Sequence, residues 1–241
     1  MAEDVIERIE RDFKERYRKK KLLNLIISAI IVVLGVTSVI FIWNYDRDGI
    51  LTFRWMTVDG TTFTTVMSIF YIVVNIFEFA KYTELTSRLV YFTRLASAVA
   101  ESLIMVVVLI SQLPMFPEHM HIFRYDMFNM HILIPLLTVT SFAVNDSPIG
   151  KLSPARIWHG TWFITIYGVT VLSLIITGAI PSGKIPYFFL DVENMPAILL
   201  VGCFLLIYAL GYLLSMALSK ANRSLSWKWF RNIARKDRRK A

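Results

Sequence analysis

Leu22 to Trp43 is a run of 22 residues without a charged side chain. At a rise of about 1.5 Å per residue, a helix of that length covers the roughly 30 Å hydrocarbon core of a bilayer. A soluble helix keeps one polar face and breaks its apolar residues every few positions, so this run excludes most soluble folds. Five further runs of the same kind follow, near Met56 to Phe79, Leu89 to Leu113, Met127 to Val144, Ile157 to Ile180 and Pro196 to Leu218. The expected fold is all-α, a polytopic membrane protein built as a bundle of six transmembrane helices. Composition agrees: the chain is 56% hydrophobic with a mean hydropathy of +0.55, more apolar surface than a soluble domain can cover. The first run is longer than the apolar core of a signal peptide and no A-x-A-like site follows it, so it is expected to stay as an anchor.

Orientation follows from the 26 basic residues, because Lys and Arg accumulate on the cytoplasmic side of a membrane. Eight precede Leu22 and nine lie from Lys220 onward. Lys81, Arg88, Arg94, Lys151 and Arg156 flank the loops after the second and fourth runs. The loops after the first, third and fifth hold only Arg47, Arg54, Arg124 and Lys184. The division is 22 against 4, which puts both termini in the cytoplasm and the protein in the cell membrane as a multi-pass chain.

Three parts are expected: a charged cytoplasmic helix over residues 1–21, the six-helix domain over 22–218, and a basic, aromatic cytoplasmic tail over 219–241. The first carries acid–base pairs such as Glu15 with Lys19, suited to a solvated helix. The tail sets Trp227, Trp229 and Phe230 among Arg231, Arg235, Lys236, Arg238, Arg239 and Lys240, a composition that favours anionic lipid headgroups. Basic residues beside a span serve topology, so no nucleic-acid partner is expected. The single cysteine, Cys203, excludes an intrachain disulfide and a Cys-based zinc site, and reads as a small core side chain.

Polar groups inside apolar runs cost free energy unless they face the bundle interior or water, so they mark where a site can lie. Thr57, Asp59, Glu78, Arg94, Glu101 and His131 stand out, with His159 at the inner end of the fifth run. Arg94 and Glu101 are seven residues apart, two turns along one helix face, and read as a structural network tying the third helix to its neighbours, or as a simply neutral Glu101, ahead of a proton or substrate role. Glu78 and Arg94 fall near the inner interface and read as snorkelling anchors.

Thr57 and His131 are more informative. The second and fourth runs both enter from the outer face, so both residues lie in the first turns of parallel-running helices and share one depth. A threonine hydroxyl is a weak nucleophile, but an imidazole within hydrogen-bond reach can take its proton and allow attack on an ester carbonyl. A structural hydrogen bond is the plain alternative. The outer loops add Glu118, His119, His121 and Asp126 before the fourth run, and Asp191 and Glu193 before the sixth. A zinc site at His119 and His121 is the lesser reading there, since an exposed polar loop explains the same residues.

The chain has no Walker loop, no dinucleotide-binding glycine motif and no G-x-S-x-G elbow, which disfavours ATP-driven transport and serine-triad hydrolysis. No cofactor is expected. Three short motifs carry a family resemblance: Phe53-Arg54-Trp55-Met56-Thr57-Val58, Asn129-Met130-His131 with Pro135, and Ile185-Pro186-Tyr187-Phe188-Phe189-Leu190-Asp191-Val192. With them the chain resembles the androgen-induced and androgen-dependent membrane hydrolases and their bacterial six-helix relatives. The resemblance runs from the first helix to the sixth. It implies a threonine hydrolase of fatty acid esters of hydroxy fatty acids, with Thr57 and His131 matching the family's threonine and histidine. Met56 and Gly60-Thr61 replace an aromatic and a Ser-Asn around the threonine of bacterial relatives, and Ile185 replaces the first tyrosine of a Tyr-Pro-Tyr. These departures bear on substrate more than on fold.

The leading expectation is a membrane-embedded hydrolase, or acyl-transfer enzyme, that takes a lipid ester laterally from the outer leaflet. Thr57 is its nucleophile and His131 its base. Asp59 or Asp191 would orient His131 or position water, and Arg54 or a helix-terminal N–H would meet the oxyanion. Two rivals stand beside it: a transporter or channel with Glu101, His131 and Arg94 on its path, and a non-catalytic membrane interaction protein. A closed apolar tunnel opening to lipid and ending at Thr57 and His131 favours the hydrolase, and a water-filled path through Glu101 favours transport.

Overall fold

The computed structural model describes residues 2–81, 88–115, 121–146 and 148–238. Six helices dominate them: α1 (Ala2–Asp46), α2 (Met56–Lys81), α3 (Arg88–Gln112), α4 (Tyr125–Asn145), α5 (Pro154–Ile176) and α6 (Ala197–Arg238). No strand occurs among the described residues. Each helix contains a stretch long and apolar enough to cross a membrane, from Arg18–Asp46 in α1 to Ala197–Ser226 in α6. The charged segment before Leu22 continues α1 without a break, with Lys19 bonded to Glu15 at 2.7 Å. At the other end α6 runs on to Arg238, while Arg239 and Lys240 lie outside the described residues.

The bundle is apolar outside and carries a column of polar groups beside its buried apolar clusters. Ile198, Leu199, Leu205 and Leu206 of α6 face outward, as do Ile69, Phe70 and Val73 of α2. Lipid tails are as apolar as these side chains, so such faces carry no penalty in a bilayer. Polar groups turn inward because hydrocarbon offers them no partner. On α2 the buried residues Thr61, Thr64, Ser68, Tyr71, Asn75 and Glu78 alternate spacings of three and four, a single helix face. Lys21, Asn24, Ser28 and Ser38 of α1 are buried as well.

At the end of the bundle where α2 and α4 finish, some of these groups form a connected network. Lys21 pairs with Glu78, both almost fully buried. Asp146 accepts from Arg94 Nε at 3.1 Å, from the Tyr71 hydroxyl at 2.5 Å and from Asn24 at 3.3 Å. Arg94 also donates to Ser141 at 2.8 Å and lies 4.3 Å above the Tyr71 ring. Glu78 and Arg94 were expected as snorkelling anchors; instead each is about as buried as any residue in the chain. An opposite charge on a neighbouring helix stabilises each in place, which removes the reason to reach for water. Arg94 is thereby committed to Asp146, not to Glu101.

Two helices contain wide π turns, at Val108–Gln112 in α3 and at Asn129–Leu133 and Ser141–Asn145 in α4. The second has a direct cause in Pro135. Proline has no N–H to offer the carbonyl four residues back, that of His131, and its ring crowds that oxygen. The widened turn takes up the misfit, and turns of this kind concentrate at functional sites.

Small residues set the closest approaches. A Cβ on Gly160 of α5 would stand 2.3 Å from Ser215 Oγ and 2.8 Å from Ser215 Cβ, where Ser215 bonds the Ile157 carbonyl at 2.7 Å. Gly160→Ala is expected to push α5 and α6 apart and cost about 1–3 kcal/mol. A fall in the thermal midpoint of the purified protein measures it. Gly183→Ala, with nothing within 4 Å of its Cβ position, should leave the midpoint unchanged.

Candidate active site

The corner between α1 and α2 carries the first residue of the site. A 3-10 turn, Gly49–Arg54, leads to Trp55 in an extended conformation, and α2 begins at Met56. The first intrahelical bond is Asp59 N–H to the Trp55 carbonyl, at 3.1 Å. The earlier amides of Met56, Thr57 and Val58 therefore lack an acceptor within the helix. Met56 N–H is met by the Tyr187 hydroxyl at 3.1 Å. Tyr187 lies beside Tyr167, whose hydroxyl donates to the Arg54 carbonyl at 2.6 Å. This tyrosine clasp fixes the backbone on both sides of Trp55. Burial pushes the Tyr187 phenol up to about 12, so it stays protonated and able to donate throughout the neutral range.

His131 stands in the π turn of α4, 4% exposed. Its Nδ1 lies 2.8 Å from the Met127 carbonyl and its Nε2 lies 3.2 Å from Thr57 Oγ1. A carbonyl oxygen only accepts, so Nδ1 carries the hydrogen and Nε2 of the neutral ring presents a lone pair. The Thr57 hydroxyl donates to that lone pair. Residues 74 positions apart are thus joined in the arrangement a nucleophile and its base require.

Both residues line a cavity of about 650 Å³. Its deeper wall is apolar, with Leu103, Ile104 and Val107 from α3, Ile164 from α5, and Phe204 and Ile207 from α6. Its rim is polar. There Asp46 ends α1, Gln112 ends α3, and Asp126 opens α4 with both oxygens held by Arg124 at 2.6 and 2.7 Å. Arg124 also lies 4.0 Å over the Tyr45 ring. Beyond the rim, Asp48 bonds Lys184 at 2.5 Å and Arg54 at 2.8 Å, tying the corner before α2 to the loop before α6. The Lys184 hydrogen bond, with Arg54 beside it, holds the Asp48 carboxyl below its ordinary range. This tie is present above the usual carboxylate range and is lost as pH falls through the lowered value.

The other candidate residues fall elsewhere. Asp191 is bonded to Asn194 and Asp59 stands beside the tyrosine clasp, so neither orients His131; a backbone carbonyl does. Arg54 is occupied by Asp48 and the Leu51 carbonyl and lies against the Trp55 ring, outside the cavity wall. Glu101 is fully buried and also outside that wall. His159 packs on Phe92, their ring centres 4.7 Å apart. Cys203 is a half-buried free thiol. Glu118 and His119 lie outside the described residues, and no group of three or more His, Cys, Asp or Glu able to hold a metal occurs among the described ones.

Sequence reasoning missed Tyr167, Tyr187, Arg124 and the Met127 carbonyl as parts of the site. Tyr187 had a signal in the Pro186-Tyr187 motif, and Arg124 in its position two residues before Asp126. No family model, curated protein or solved structure matches this chain, so a functional reading rests on the geometry of Thr57, His131 and the cavity they line.

Proposed function

We propose that this protein is an intramembrane hydrolase, or acyl-transfer enzyme, that cleaves lipid esters with Thr57 as nucleophile and His131 as general base. One observation carries the reading: His131 is held at Nδ1 by a carbonyl while its Nε2 meets the Thr57 hydroxyl. That fixes the tautomer a base needs, without a carboxylate.

In the proposed reaction Thr57 Oγ1 bonds to the ester carbonyl carbon as its proton passes to His131 Nε2. The amides of Thr57 and Val58 at the start of α2 are suited to receive the oxyanion. His131 then returns the proton to the departing alcohol. Water, activated by the same imidazole, releases the fatty acid from the acyl-threonine. The apolar depth of the cavity suits an acyl chain and the polar rim suits the second, more polar arm of the ester. Fatty acid esters of hydroxy fatty acids, the substrates implied by the resemblance, have this form. With both termini cytoplasmic in the cell membrane, as the excess of basic residues favours, the site serves the outer leaflet.

The absence of Glu101 from the cavity wall supports this reading over a transport path through that residue. The test is covalent labelling of the purified protein by a fluorophosphonate with a long alkyl chain. Wild type is expected to label, and Thr57→Ala and His131→Ala are not. Equal labelling of wild type and Thr57→Ala removes the mechanism.

A further inference from the structure

Three contacts follow one another along the seam between α5 and α6, each one turn further along α5. Gly160 meets Ser215, where an added Cβ would stand 2.3 Å from Oγ. Ile164 meets Gly211, whose Cβ position lies 3.1 Å from Ile164 Cδ1. Gly168 meets Phe204, and here the neighbouring atom is the ring carbon Cε1, at 3.5 Å. The first two contacts bring one backbone close to the other, whereas the third spans the gap with a phenyl ring. The helices accordingly pack over Pro154–Thr161 and part beyond it, where Trp162–Ile176 hardly approaches the α6 backbone.

Close packing explains the other glycines at helix contacts but not this one. A Cβ on Gly35, Gly60 or Gly160 would fall 1.9, 2.6 or 2.3 Å from a side chain of the neighbouring helix. A methyl on Gly168 would make one ordinary contact, with Phe204, and no other atom of another element lies within 4 Å among the described residues. Glycine inside a helix costs about 1 kcal/mol relative to alanine. What it keeps at this position is space. That space belongs to the cavity of Thr57 and His131, since Gly168 and Phe204 both line it.

The other side of the seam is hydrocarbon. Ile166 and Val169 on α5 and Val201 and Leu205 on α6 flank it and are all exposed, while Gly168 and Phe204 are half-buried between cavity and exterior. One end of the opening is closed by Ile164 against Gly211. The other is closed by Leu190 of the loop before α6, which shares a buried cluster with Tyr167 and Val171. From Ile164 to Val171 is about two helical turns. None of the residues framing this window is charged, so an ion or a headgroup gains nothing there. A lipid tail loses nothing by entering, because the window is as apolar as the hydrocarbon it leaves.

We infer that the α5–α6 seam seats one fatty acyl chain, which reaches the cavity from the bilayer, and that Gly168 is the residue that admits it. The inference rests on the proposed ester site for what reacts at the head of the chain. Seating the chain needs neither Thr57 nor His131. Gly168 is thus a specificity-determining residue: bulk at this position excludes long chains and spares short ones.

The test uses the full-length protein in digitonin, a detergent without an alkyl chain. Hexadecylglycerol ether, which cannot be cleaved as an ester, should raise the thermal midpoint of wild type and of Thr57→Ala in a saturable way. Butylglycerol ether at the same concentrations should not. Gly168→Leu should raise the half-saturating concentration of the hexadecyl ether by at least about tenfold, while Gly168→Ala, whose methyl fits, should stay within about threefold of wild type. Labelling by a hexadecyl fluorophosphonate should likewise slow about tenfold in Gly168→Leu, with labelling by an ethyl fluorophosphonate unchanged. Phe204→Trp narrows the same window from α6 and serves as the test if Gly168→Leu does not fold. No stabilisation of wild type by the hexadecyl ether overturns the inference, as does equal half-saturation in both narrowed variants. Equal slowing with both fluorophosphonates overturns it too, since Gly168 would then act on the whole site and not on the chain. Stabilisation that depends on Gly168, beside equal labelling of wild type and Thr57→Ala, would keep the chain seat and remove the ester chemistry; the reverse pattern would remove the seat alone.

Discussion

On the proposed mechanism, Thr57→Ala is expected to lower kcat/KM for a fatty acyl ester by at least about a thousandfold, because it removes the hydroxyl that would accept the acyl group. Thr57→Ser keeps the hydroxyl and should retain turnover. His131→Ala should cost about 10²–10⁴-fold, the usual worth of a positioned base, and the double variant should be little worse than Thr57→Ala alone, since the two residues act as one unit. Asp59→Asn and Asp191→Asn should change the rate only slightly, because His131 is oriented by the Met127 carbonyl. Purified variants assayed with a chromogenic ester, each with its thermal midpoint beside it, separate lost chemistry from lost fold. Undiminished turnover in Thr57→Ala would remove the nucleophile from the mechanism.

The fold is legible because each span announces itself: a charge-free run long enough for a bilayer leaves few alternatives. The meeting of Thr57 and His131 is legible for a related reason. Six crossings fix which helices start at the same face, and a residue's distance from a helix start is then its depth. The partner of His131 is not legible, because every residue carries a carbonyl and only the rotamer of the ring selects Met127. The same limit hides the tyrosine clasp, where Tyr187 reaches Met56 across 131 positions. The partner of Arg94 is hidden for a different reason. Its partner, Asp146, follows the fourth apolar run and looks like a loop residue, yet the last turn of α4 carries it into the bundle.

That placement leads to the largest expected effect on stability. Arg94→Leu leaves Asp146 buried beside Tyr71 and Asn24 without its counter-charge, and breaking a buried ion pair from one side costs about 3–5 kcal/mol. The thermal midpoint should fall by roughly 10 °C or more. Asp146→Leu should fall as far, because it strands the guanidinium. The double variant should recover part of the loss, since two apolar side chains leave no unpaired charge in the bundle. If each single change is harmless, or if the losses simply add, the pair does not hold the helices together. Arg94 and Thr57 lie near opposite ends of the column, so below its lowered midpoint the Arg94→Leu protein should still label at Thr57. Loss of labelling in a protein still folded would instead show that the two ends of the bundle are coupled through the column between them.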